Sequence, residues 1–440
     1  MSAHIPINEE MIQDQNQLVD YMLQGCKSKD EWVIGTEHEK FLWSTALKKR
    51  PDYHGPQGVF ALLSAFENDG WLAHREGHDI VALTHNGASI TLEPGGQLEL
   101  SGAPLKSLHA MSHEMDTHIQ AVRKHAEPLN LICSGLGSDA IPPALSPRMP
   151  KARYDVMRRY LGSKGELALH MMHNTATVQC NLDFASAEDA MQKLRVSLYI
   201  QPIVMAIFAN SFVLDQQLQS GTCARSRIWL ATDNDRYLYP AHFLDPKASI
   251  EDYVEWAIQV PMFFIARDGK YLDCSGVPFK QFMQQGWQGH QANLGDFALH
   301  LSTLFPDARL KQHLEVRAAD MSTLAYAKAL SALHVGLLYD QDNLDHLSER
   351  FTTIDATQLW QARSQVDEKG LQTMLADQSF QQWGEELLRL AQTGLQRYET
   401  GTDVYLDPVL EQVQAGLAPA DHHRSHWDGH LHNLMVSCRL

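Results

Sequence analysis

No stretch of this 440-residue chain stays apolar for the ~20 residues that a membrane-spanning helix needs. The most apolar segment, residues 198–214 (LYIQPIVMAIFANSFVL), is broken by Gln201, Pro202, Asn210 and Ser211 and reads as a buried helix. The opening MSAHIPINEE has neither a basic start nor an apolar run, so no secretory leader is read there and the expected location is the cytoplasm. Basic residues are in deficit: 36 Lys and Arg stand against 53 Asp and Glu, a formal net charge of -17. Nucleic acid and anionic membrane are therefore excluded as partners, because binding either needs basic patches that displace counterions. Phosphate ligands stay open, since a few local arginines and metal ions suffice to hold one. The six cysteines (Cys26, Cys133, Cys180, Cys223, Cys274, Cys438) form no CxxC pair and no zinc-type spacing, and reduced thiols are the default. There is no Gly-rich phosphate loop of the Rossmann or P-loop kind. With no repeat, linker or low-complexity tract either, residues 1–440 are expected to form one domain around a continuous core.

What is present points to a folded α+β protein, with 44% hydrophobic and 20% charged residues. The patterns predict helices over 8–26 and 57–69 and a strand over 32–42. The segment DIVALTHNGASITLEPGGQLEL reads as strands joined by a tight turn at Asn86-Gly87. A helix is expected to start at Pro104, carrying Leu105, Leu108, Met111, Met115, Ile119 and Val122 on one face. Strand-like alternation returns at 174–184 and 310–318, and a mainly helical C-terminal third begins near 321. Strands and helices interleave without a βαβ rhythm, which favours an antiparallel sheet.

The chemistry lies in the polar faces of four of these strands. In VIGTEHEKF, residues 33–41, Glu37 and Glu39 share one face because strand side chains alternate. Gln97 and Glu99 do the same in the next unit, and the Pro94-Gly95-Gly96 break can turn Glu93 toward them. Thr177, Gln179, Asn181 and Asp183 line one face of another strand, and Glu315 and Arg317 one face of the last. An ordinary solvated sheet face is the plain alternative. Against it, carboxylates brought to about 4 Å cost roughly 4 kcal/mol per pair at an effective dielectric near 20. Carboxylates with carboxamide oxygens are the ligands that Mg²⁺ prefers. ARSRIWLATDND is read as a strand placing Arg225 and Arg227 on one face, where a guanidinium fork can clamp a carboxylate or phosphate.

GTEHEKF, SITLEPGGQLELSGAPL, TVQCNLDF, ARSRIW, DYVEWAIQVPMFF and HLSTLFPDARLKQHLEVRAAD resemble, in order and spacing, the plant and proteobacterial type of glutamate-cysteine ligase over residues 30–330. The resemblance implies a catalytic domain similar to that of glutamine synthetase, a curved antiparallel sheet forming a funnel with helices packed on its outer face. It implies ATP-dependent joining of L-glutamate to L-cysteine through a γ-glutamyl phosphate, with Mg²⁺, as monomer or homodimer. By motif match it assigns Glu37, Glu39, Glu93, Glu99, Glu315 and Gln179 to metal and sets Arg317 against the transferring phosphate. Arg225 would hold the glutamate α-carboxylate, with Gln97, Asn181 and Arg227 as further substrate contacts. The sequence departs from the family in Ala318, commonly Gly, and in Arg227, often His in plants. A different amine acceptor and a catalytically inactive relative are the alternatives. The histidine-rich DHHRSHWDGHLHN, interrupted by Gly429, is read as an exposed terminal segment rather than a metal site.

Overall fold

The computed structural model describes residues 8–440; the opening residues 1–7, read above for a leader, lie outside the described residues. Its centre is a nine-stranded sheet in which every pairing is antiparallel. The strands are β1 (Ile34–Ser44), β2 (Leu72–Glu76), β3 (Asp79–His85), β4 (Ala88–Leu92), β5 (Leu98–Ser101), β6 (Leu131–Ser134), β7 (Thr177–Leu182), β8 (Ala308–Leu310) and β9 (Leu314–Asp320). Their spatial order is β8-β9-β7-β1-β5-β4-β3-β2, with β6 pairing the far end of β1. Strand β1 is thus the spine, holding β5 and β7 on its two edges and β6 beyond. Asn86 and Gly87 close the β3–β4 hairpin with φ of 48° and 85°, as the turn signal requires.

Helices cover one face. Leu108–Ala126, Ala187–Ile207 and Leu324–Leu338 pack on the sheet, and Phe380–Tyr398 packs on the last of these. The Thr36 hydroxyl meets that of Ser331, in the Leu324–Leu338 helix, at 2.9 Å. Even-numbered β1 residues therefore face the helices, and Glu37 and Glu39 face the other way. The apolar core is one continuous cluster. The covered face also hides a charge: Lys40 is fully buried, its ammonium bonded to the His38 carbonyl and to ring nitrogens of His38 and His118, and burial lowers it to about 7.

Several local expectations are corrected. The first helix spans only Asn16–Leu23, because residues before it pair their backbone with the 292–295 segment instead (Ile12 N to Ala292 O, 3.1 Å). Pro104 does not start the next helix: Leu105 bridges Ile34, and the helix begins after Ser107, whose hydroxyl caps Ala110 N. The apolar 198–214 segment is helical only to Ile207. ARSRIWL is a helix, Ala224–Leu230, not a strand. The C-terminal third is helical as expected, and Gly429, at φ 84°, breaks the histidine-rich segment.

Candidate active site

The register of β1 sets the site. Glu39 lies opposite Glu99 of β5, Glu37 opposite Gln179 of β7, and Glu315 of β9 opposite Asn181. Beyond β4 the chain turns tightly: Gly96 adopts φ 81°, and a Cβ on Gly95 would lie 2.2 Å from the His173 carbonyl. Buried Arg50, paired with Asp139 at 2.7 Å, donates to the Gly95 carbonyl and holds this turn. Glu93 and Gln97 thereby reach the face that Glu37 and Glu39 occupy. The four line a cavity of about 70 Å³ together with Thr177, Gln179, Arg225, Arg309 and Arg317. Met157, Met171, Met172, Trp229 and Phe305 give it an apolar wall.

Two charge systems meet there. Burial first, then the charges of Glu315 and Glu99, raises the proton affinity of Glu37. Glu39 is raised strongly, by burial and then by Glu93 and Glu99, and Glu93 by burial and Glu99. Glu37 accepts from Asn181 Nδ2 at 3.0 Å and Glu39 from Thr177 N at 3.1 Å, neither of which supplies a full positive charge. Across the cavity Glu315 is held well below the carboxylate range. Burial opposes this, but Arg309, Lys311 (2.5 Å) and Arg317 overcome it. Arg317 also donates to Gln179 Oε1 at 3.0 Å.

The strand carrying Arg317 is not regular. A bulge between Val316 and Ala319 turns the Arg317 and Ala318 carbonyls toward Arg225, which donates to them at 3.1 and 2.9 Å. Asp320 stands 3.8 Å from the Arg225 guanidinium. Arg225 comes from the short helix yet is buried on the cavity wall, while Arg227, two residues on, points elsewhere. Its side chain is 44% exposed and pairs with Asp367 at 3.2 Å and Gln219 at 2.7 Å. Helical rather than strand geometry separates the two, and the reading of Arg227 as a substrate contact is corrected. Arg227→Ala is expected to leave turnover and the glutamate Michaelis constant within about twofold, the scale of an exposed ion pair, in steady-state kinetics.

The structure brings Glu37, Glu39, Glu93, Gln97, Gln179, Arg225 and Arg317 to the cavity wall, and sets Glu99, Glu315 and Asn181 one layer behind. Glu99 accepts from Thr91 at 2.6 Å and Ser101 at 3.0 Å. Asp183, expected on the same face, instead binds Lys27 and the Val33 amide, both at 2.8 Å. Among the described residues no three His, Cys, Asp or Glu side chains stand close enough to bind one ion. The donor set still suits a hard cation, because three buried carboxylates share the cavity while two of its three arginines, Arg309 and Arg317, are already paired with Glu315. Sequence reasoning missed Arg309, which lies opposite Glu315 across the β8–β9 hairpin, and the methionine wall.

An antiparallel sheet with one helix-covered face and one face of buried carboxylates and arginines is a fold shared with known ligases. It recurs in the glutamate-cysteine ligase of Francisella tularensis solved in complex with AMP (TM-score 0.58, 12% identity, 92% of this chain and 88% of that one). It recurs also in a bifunctional glutathione synthetase from Pasteurella multocida (TM-score 0.51, 13% identity, 97% and 53%). The chain belongs to glutamate-cysteine ligase family 2, whose model matches residues 33–437, and is an enzyme of the ligase class. Similar relatives include the chloroplastic glutamate-cysteine ligases of Medicago truncatula (38% identical over 409 residues, 92% of this chain and 80% of the relative) and Brassica juncea (39% over 411, 92% and 79%). Ligase B of rice, also chloroplastic, is 37% identical over 429 residues, covering 95% of this chain and 86% of its own. These relatives overturn the expectation of a cytoplasmic location, which rested only on the composition of the first residues. No described helix is long and apolar enough to cross a membrane.

Proposed function

We propose that this cavity joins the γ-carboxylate of L-glutamate to the amine of L-cysteine, using ATP, with residues 1–440 acting as one catalytic domain. A glutamate oxygen takes the terminal phosphoryl group, ADP leaves, and the amine nitrogen then displaces phosphate from the acyl carbon with loss of a proton. The observation that supports this is the meeting of Glu37, Glu39 and Glu93 with Arg225, Arg309 and Arg317 in one small cavity. At about 70 Å³ it has room for reacting groups rather than whole substrates. Arg317 and Arg309 offset the charge of the transferring phosphoryl group, and Arg225 receives the glutamate α-carboxylate. Gln97 donates to the Thr175 carbonyl at 2.8 Å, while its Oε1 has no partner among the described residues and would accept from a substrate amine. Glu37, Glu39 and Glu93 would offer Mg²⁺ one or two carboxylates at a time, alongside waters and the phosphates of ATP, backed by Glu99, Glu315 and Gln179. When bound, the ion supplies positive charge that lets two anions approach.

The test is ADP release with mass detection of product, from ATP, Mg²⁺ and glutamate, with and without cysteine. Cysteine-dependent release yielding γ-glutamylcysteine is expected. Stimulation by another amine alone would reassign the acceptor, and no release with any amine would sink the proposal. Mg²⁺ without substrates is also expected to raise the unfolding temperature, more at about pH 8 than at about pH 5.5. The raised carboxylates favour the fold while protonated and oppose it as pH rises through their elevated values. A cation that binds their ionised form restores what is lost, so a pH-independent shift in calorimetry would contradict this assignment.

A further inference from the structure

A charged side chain from the C-terminal third reaches the back of the active-site wall. Arg363 belongs to the helix Ala356–Lys369 and is 1% exposed. Its Nε donates to Asp307 Oδ2 at 3.0 Å and its Nη1 to the Ser226 hydroxyl. Its Nη2 donates to the Ser226 carbonyl at 3.4 Å and to the Tyr237 hydroxyl, which in turn donates to the Asp307 carboxylate at 2.9 Å. A buried charge needs a paired counter-charge and filled hydrogen bonds, and Asp307, Ser226 and Tyr237, themselves buried, supply both. One planar fork thus joins three separate stretches of chain.

Where these stretches lie matters for the cavity. Ser226 follows Arg225 in the helix Ala224–Leu230. Asp307 precedes β8, and its backbone carbonyl accepts from Arg317 N at 3.0 Å, at the start of the β9 bulge. Tyr237 stacks on Trp229 with ring centres 6.2 Å apart, and Trp229 lines the cavity with the Arg225 and Arg317 guanidinium carbons 5.6 and 5.9 Å from its ring. Arg363, Ser226, Asp307 and Tyr237 stand behind the cavity wall rather than in it. The plain alternative is a staple that only fastens one helix to the rest. That fastening exists without Arg363: a Cβ on Gly221 would lie 1.7 Å from the Asp367 carbonyl, and Arg227 pairs with Asp367 of the same helix at 3.2 Å.

We propose that Arg363 is a positioning residue for the ligase reaction, fixing Arg225 and Arg317 relative to each other through Ser226 and Asp307. This rests on the reading of Arg225 as the glutamate contact and of Arg317 as the contact of the transferring phosphoryl group. The helical C-terminal third then does more than cover the sheet, because one of its side chains sets the spacing between the groups that receive two parts of one reacting molecule.

The test is a double-mutant cycle on the full chain, read in steady-state kinetics beside thermal melts. Arg363→Lys keeps the charge but loses the fork, and should raise the Michaelis constant for glutamate and lower turnover by about tenfold each, the scale of a lost hydrogen bond to a charged group. Ser226→Ala removes one bond from a helix that tolerates alanine, and should raise the glutamate constant by about threefold or more with the melt little changed. This keeps the test independent of how well the first variant folds. In an Arg225→Ala background neither change should move that constant much further, because the residue through which they act is gone. Arg227→Ala, which cuts the outer tie between the same two helices, should stay within about twofold of wild type. Lower melting temperatures with unchanged kinetics in both variants, or effects that simply add to that of Arg225→Ala, would overturn the proposal. An Arg225→Ala variant with an unmoved glutamate constant, or a wild type without turnover, would instead sink the reading on which the proposal rests.

Discussion

Glu315→Gln is expected to leave turnover undetectable and to lower the unfolding temperature by several degrees. The carboxylate is fully buried and carries Arg309, Lys311 and Arg317 on its two oxygens. Glutamine keeps the shape and removes the charge, so Arg309, Lys311 and Arg317 face one another around an uncharged, fully buried side chain. Removing one partner of a buried ion pair costs about 3–5 kcal/mol, and here three pairs fail together. Arg317 also loses the anchor that aims it into the cavity. The pH sign follows from the depressed carboxyl: its stabilisation is present above the unfolded-state value and is lost only as pH falls through the lower folded one. Wild type should keep this contribution into strong acid, and the variant should lack it throughout. Thermal melts at neutral pH and near pH 4, beside the ADP assay, check both parts; near-normal turnover would remove Glu315 from the machinery.

Arg225→Ala should raise the Michaelis constant for glutamate about 10- to 100-fold, the worth of a charged hydrogen bond, with a smaller change for ATP. Turnover should fall as well, because the same guanidinium holds the Arg317 and Ala318 carbonyls of the β9 bulge. Arg225→Lys separates the two roles. A lysine restores the charge but not the planar fork, so it should recover affinity for glutamate better than turnover. Equal effects on the two substrates would contradict a glutamate contact and leave only the structural role.

The two arginines of ARSRIW show where sequence reading runs out. A two-residue spacing means one face on a strand and divergent directions on a helix, and seven residues are too few for a period to decide. β1 was legible as a strand in which side chains point alternately to the two faces, and Glu37 and Glu39 do share one of them. Depth was not legible. Glu99 has the same alternation as Glu39, yet two hydroxyls hold it beneath the cavity. Nor was the β9 bulge, since Glu315 and Arg317 read as plain alternation whether or not the register slips after Val316. Lys40 was hidden for the opposite reason: a lysine in a strand reads as solvated, and only the histidines around it accommodate it inside.

The sheet's strand order also governs the order in which the enzyme comes into being. β1 leaves the ribosome early, but its neighbour β7 and that strand's partner β9 are made some 140 to 280 residues later, from Thr177 to Asp320. At about 5–20 residues per second, β9 follows β1 by roughly 15–60 s. For about the first half of that interval one edge of β1 lies unpaired, until β7 is made, and Glu37 and Glu39 acquire first Arg225 and then Arg317. The newborn chain therefore passes through a stage with an open strand edge on β1, which closes when β7 pairs with it and moves outward to β7 until β9 is added.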